Sequence, residues 1–222
     1  MFSNAGPLEP ECCNASVYQR VLGVAFDDLD GQLRTYFGPI PAGFVGVGVG
    51  RYAEVGLRVR ALRPLFALLG RCRIAFAEHA VDVPFTVQNV PGSQGTLNAT
   101  RTFEFATATR EMSDSMRAVN GKLVDRIGAH GEIEIELEAH VRNGTLHLES
   151  RGLALRILGI RLPLPPIVKV NLREEADSGG SRIQHVELKI TMPGLGQIYG
   201  YHGTFTYTLA PIATSDLTWS KR

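Results

Sequence analysis

The stretch EIEIELEAHV (Glu132–Val141), followed by Arg142-Asn143-Gly144 and then TLHLES (Thr145–Ser150), decides the fold class. Apolar residues fall on every second position of the first run, from Ile133 to Val141, and resume at Leu146 and Leu148 in the second. A period of two is that of a strand with one buried face. Asn-Gly between two such runs calls for a two-residue type I′ turn, in which both central residues take positive φ. With that turn the pairing is fixed. Val141 lies opposite Leu146, Ala139 opposite Leu148, His140 opposite His147 and Glu138 opposite Glu149. One face of the hairpin is apolar; the other carries two imidazoles and two carboxylates within cross-strand reach. Such a set could hold a divalent metal. A polar, solvent-facing sheet surface is the plainer reading, because no further ligand spacing supports coordination, and no metal or cofactor is expected.

Outward from this hairpin the same signature recurs. Val81, Val83, Phe85 and Val87 alternate with polar residues, NVPGSQG supplies a turn, and Leu97 to Phe105 returns. On the return strand Arg101 shares the face of Phe103 and Phe105. An arginine on an apolar face needs a partner or a ligand. A connection holding Met112, Met116 and Asn120-Gly121 leads to an extended Leu123–Ile127. Leu153 to Val168 reads as two short strands or a folded-back loop broken at Gly159, with Arg156 and Arg161 pointing outward. Lys169–Glu175 and Arg182–Met192 pair across DSGGS, and Gln197–Leu209 places Tyr199, Tyr201, Phe205 and Tyr207 on one parity. Near the start, FVGVGVGRYAEV (Phe44–Val55) is a strand with a glycine face. It lacks the further spacing and the helix that a dinucleotide loop requires, so the glycines indicate close packing.

Helical spacing is confined to the first third. Val17, Val21, Leu22, Ala25, Leu29, Leu33 and Phe37 follow a capping Ser16 and stop at Gly38-Pro39, with Gly31 allowing two shorter helices. Leu57 to Leu69 reads as another helix, broken or kinked by Pro64 in its middle. The expectation is an α+β chain: a large curved antiparallel sheet, half-barrel or barrel, of about eight or nine strands, with one or two N-terminal helices packed on it. Residues 15–210 form one domain, between a flexible leader (1–14) and a loose tail (211–222).

The 222 residues carry 23 basic against 22 acidic groups, which argues against nucleic-acid binding. That balance hides an asymmetry. Arg51 to Arg73 holds six arginines, including Arg58, Arg60, Arg63, Arg71 and Arg73, against Glu54 alone. Cys12, Cys13 and Cys72 show no disulfide or zinc spacing. There is neither a signal-peptide pattern nor a run apolar enough to span a membrane, and the chain is expected in the cytoplasm. Without a signal peptide the sequon-like tripeptides at Asn14, Asn98 and Asn143 carry no weight.

The ordered landmarks YQRVLGVAFDDL, RTFEF, MSDSMRAVNGKLVDRIG, the Leu158-Gly159 to Pro163 stretch and MPGLGQIYGYHGTF resemble the bacterial domain of unknown function family numbered 4166, over about residues 16–209. The matching positions are Arg101, Phe103, Met116, Gly121, Gly128, Pro163, Pro193, Gly196, Tyr201 and Gly203. Where the family often has an aromatic residue two before the arginine, this chain has Ala99. Members stand alone or follow NAD-binding domains of the saccharopine dehydrogenase or short-chain dehydrogenase type. The resemblance implies no established activity, only a companion module for small or lipid-like molecules.

Three functions compete. The first is a noncatalytic module holding an apolar or lipid-like ligand on the concave face, with Arg101, Met116, Tyr199, Tyr201 and His202 as its site. The second is an accessory or catalytic partner of a separate oxidoreductase, with His202 as acid–base group; no catalytic motif supports it. The third is peripheral contact of the 51–73 arginines with anionic lipid or an acidic protein. The first is favoured, and oligomeric state is not legible.

Overall fold

The structure, a computed structural model, describes residues 15–165, 167–177, 179 and 181–212. The expected leader with Cys12, Cys13 and Asn14, parts of the DSGGS turn, and residues 213–222 with Trp219 lie outside these.

The chain starts with α1 (Val17–Leu22), a 3-10 turn (Gly23–Asp28) and α2 (Gly31–Phe37). Ser16 and Gln19 form a reciprocal capping box on α1, and Asp30 caps α2. The long amphipathic segment is therefore two short helices, as Gly31 allowed. Next come β1 (Phe44–Leu57), a 3-10 turn (Arg60–Leu62), α3 (Arg63–Arg71), β2 (His79–Pro91), β3 (Leu97–Phe105), β4 (Ala108–Val119), β5 (Lys122–Ile127) and β6 (Ile133–Arg142). The remainder is β7 (Thr145–Ile157), β8 (Ile160–Leu164), β9 (Lys169–Ala176), β10 (Ile183–Met192) and β11 (Gly196–Pro211). Pro64 sits in the first turn of α3, where its missing N–H costs nothing, so the expected kink does not arise.

All the pairings are antiparallel, and β6 also pairs with β7, so ten strands close into a barrel, with β8 as the eleventh strand. Closure joins the first strand to the last, Phe44 lying opposite Pro211. The expected strand number was too low. One omission is β4, assigned from sequence to a connection. Its Asn120-Gly121, both at positive φ, is the tight turn into β5. β8 and β9 run in the same direction, one after the other along the same edge of β7, with the proline-rich 165–168 segment between them.

The Asn143-Gly144 hairpin has the pairing read from sequence, His140 opposite His147 included, as far as Leu137 opposite Ser150. There the ladder slips, Glu136 pairing with Gly152, and Arg151 is the extra residue of a bulge. The slip changes parity, so Leu148 and Leu153 both reach the interior.

Up-and-down connectivity sends every second connection to the same end. The helices α1 and α2 plug one end, where Asp30 N–H donates to the Gly144 carbonyl and Arg20 binds the Gly95 carbonyl. The opposite end carries α3, the β7–β8 hairpin and the β10–β11 turn. Inside, aromatics fill the wall built by β1–β3 and β11: Tyr52 stacks on Phe85 at 3.9 Å between ring centroids and approaches Phe103 and Tyr201. The glycine face of β1 makes this possible. A Cβ on Gly46 would lie 1.8 Å from the Tyr207 hydroxyl, and one on Gly48 2.5 Å from Val87.

Candidate functional site

A barrel of eight strands is filled by its own side chains or holds one small ligand; ten strands enclose more. The interior here keeps a cavity of about 260 Å³. Its shaft is apolar, lined by Leu65, Phe66 and Leu69 of α3 and by Ile133, Leu153 and Met192 from the strands. Polar groups gather at the plug end and midway along it.

Arg101, Asp114 and Asp125 come from β3, β4 and β5 and step across three adjacent strands of one wall. Arg101 pairs with Asp114. Burial opposes the guanidinium charge, but Asp114 together with Tyr201, Tyr36 and Tyr52 outweighs it, and Arg101 keeps its proton. About 20% of its side-chain surface is left uncovered, and this faces the cavity. Among the described residues Asp125 has no cation of its own, and its Oδ1 lacks a hydrogen-bond partner. Burial and the neighbouring Asp114 push its carboxyl well above the usual range, Arg101 pulling only partly back.

Glu174 on β9 and Gln184 on β10 stand on a second stretch of wall. The Gln184 amide donates to Glu174 at 2.8 Å. Burial pushes Glu174 up to about 7, although Gln184 and Arg101 favour its charged form. Asn89, Tyr18 and Tyr36 complete the plug end of the lining. Burial pushes Tyr201 up to about 12, so its hydroxyl stays protonated.

Of the residues singled out from sequence, Arg101, Met116, Tyr199 and Tyr201 all line this cavity. His202 does not: it is exposed on the outer surface of β11, one position out of phase with Tyr201. Asp114, Asp125, Glu174 and Gln184 were missed. Each stands on the apolar parity of its strand, the same signal that singled out Arg101.

His140 and His147 stack face to face outside the barrel, ring centroids 5.2 Å apart. Burial and the neighbouring His140 lower the His147 pKa. Among the described residues no three His, Cys, Asp or Glu side chains are grouped to hold a metal ion. Of the arginine cluster, Arg58 is paired with Glu54 and Arg73 with Glu111, whereas Arg60, Arg63 and Arg71 have no ion pair among the described residues. No helix among these residues is long and apolar enough to cross a membrane.

A model of the family described as Domain of unknown function (DUF4166) matches residues 29–205. The chain belongs to this family. The matched span takes in β1–β10 and most of β11, and with them Arg101, Asp114, Asp125, Glu174 and Gln184; α1, which supplies Tyr18, precedes it. No curated protein and no solved structure matches the chain.

Proposed function

We propose that this barrel is a noncatalytic binding module for an apolar, lipid-like small molecule with a compact, uncharged polar head. The observation that carries the reading is the lengthwise division of the cavity, apolar shaft toward α3 and buried polar cluster toward the plug. A 150 Å³ cavity accepts benzene, so about 260 Å³ suits on the order of ten to fifteen non-hydrogen atoms. Arg101 is already neutralised by Asp114, and the burial that pushes the Asp125 and Glu174 carboxyls toward their neutral forms would penalise a further carboxylate in the same way. A hydroxyl, carbonyl or amine-free-base head suits the site better: it can accept from the free guanidinium N–H groups and exchange hydrogen bonds with Asp125.

The test is titration with 1-aminoanthracene, a neutral fluorescent probe of fitting size. Saturable one-to-one binding with a blue-shifted emission is expected. Ala99→Phe, which fills the cavity from β3, should abolish it while leaving the far-UV circular dichroism unchanged. Non-saturable binding, or equal affinity in the filled variant, would overturn the reading.

A further inference from the structure

We infer that the α3 end of the barrel is a docking face for an anionic lipid bilayer, its exposed apolar side chains entering the membrane and its unpaired arginines holding the headgroups. Among the described residues fifteen large hydrophobic side chains are exposed, and nine of them sit at this end. Leu65 and Leu68 project from α3, Leu195 from the β10–β11 turn, and Ile157, Leu158, Ile160, Leu162, Leu164 and Ile167 from the β7–β8 hairpin and the segment after it. Three separate elements thus converge. All five residues of β8 are exposed, so this hairpin extends beyond the barrel wall.

Leu158 makes the case sharpest. It is 98% exposed at the hairpin tip and has a φ of +49°, a conformation that favours Gly or Asn. Neither solvation nor backbone geometry favours leucine there. Contact with an apolar phase does.

The charges at the same end select the phase. Most of its carboxylates are ion-paired: Glu54 with Arg58 and His79, Glu78 with Arg110, Glu111 with Arg73, Glu134 with Arg126, Arg156 and Arg161, and Glu136 with Lys122 and Arg161. Glu132 accepts from the His130 backbone N–H and Glu104 from the Thr109 hydroxyl, without an ion pair among the described residues. Arg60, Arg63 and Arg71 remain over, flanking the apolar outer face of α3, and Arg58, Arg60, Arg63 and His79 line a shallow depression beside it. Apolar residues ringed by unmatched guanidinium groups complement an anionic bilayer, with its acyl interior beneath a negative headgroup layer.

Leu65 both lines the cavity and is half exposed, so the cavity opens on this face. A docked barrel would therefore exchange ligand with the membrane, tail outermost. This last clause rests on the function proposed above; the docking itself does not.

The experiment is co-sedimentation of the full chain with phosphatidylcholine vesicles, with and without about 30% phosphatidylglycerol, at low salt and near 0.5 M. Binding is expected to the anionic vesicles, weakening with salt. Arg60→Gln/Arg63→Gln/Arg71→Gln should weaken it about a hundredfold, and Leu65→Ser/Leu68→Ser about tenfold or more. Leu158→Asn, which suits the positive φ, should keep or raise the melting temperature while lowering vesicle binding. Val49→Ser, on the outer wall, should change nothing. Absence of vesicle binding at low salt, binding indifferent to the leucine changes, or self-association through this face in place of binding would each overturn the inference. The 1-aminoanthracene titration without vesicles keeps the two claims apart. Dye binding without vesicle binding removes the docking alone, and vesicle binding without dye binding removes the ligand alone.

Discussion

Glu174 ties the chemistry of the cavity to the stability of the barrel. Its carboxyl has an ordinary pKa of 4.5 when unfolded and about 7 when folded. Between those values the folded chain holds a proton that the unfolded chain has released. Stability from this group is therefore complete below about 4.5 and declines as the pH rises through about 7. The full shift corresponds to about 3 kcal/mol. Glu174→Gln removes the titration while keeping an amide beside Gln184. Urea denaturation should find the variant and the parent similar near pH 4.5 and the variant more stable at pH 8 by about 2 to 3 kcal/mol. An equal difference at both values would show that this side chain does not titrate as its burial requires.

Elements explain why some of the barrel is legible in sequence and some is not. The Asn143-Gly144 hairpin is read down to its register because alternation, turn chemistry and a one-sided core agree. β4 is hidden because its inward positions are Met112, Asp114 and Met116: an acid on the buried face erases the alternation that marks a strand. The functional group that shapes the cavity is thus what conceals the element bearing it. Asp125 and Glu174 escape for the same reason, being acidic residues at apolar positions of their strands. His202 misleads in the opposite sense, since its neighbour Tyr201 is inward and strand neighbours point apart. The glycines of β1 allow a test at this scale. A Cβ on Gly50 would lie 2.1 Å from the Thr204 carbonyl oxygen, a backbone atom that moves only if β11 moves. Gly50→Ala should cost about 1 to 3 kcal/mol by thermal or urea unfolding. Gly31→Ala, in α2 with its nearest atom 3.8 Å away, should be neutral or stabilising by up to about 0.5 kcal/mol. Equal effects of the two changes would show that the close strand approach is not what requires glycine.

At the scale of the molecule, closure is what the sequence could least convey. Each hairpin is local, but the seam between β1 and β11 joins opposite ends of the chain, and no turn signal announces it. That seam removes both sheet edges at once. Deleting residues 196–222 should leave one edge of β1 and one edge of β10 unpaired, and the shortened chain should aggregate or run as an expanded species in size-exclusion chromatography, with loss of its sheet signal. A compact, soluble truncated monomer would show that the remaining strands close without it. Contacts of such long sequence separation also place this barrel among the slower-folding topologies.

The tyrosines give the barrel an optical property of its own. All six, Tyr18, Tyr36, Tyr52, Tyr199, Tyr201 and Tyr207, belong to the interior lining or to the aromatic packing around it. Burial raises the pKa of every one. The tyrosine absorption band of this protein is therefore a spectrum of its inner space, which the outer surface does not dilute.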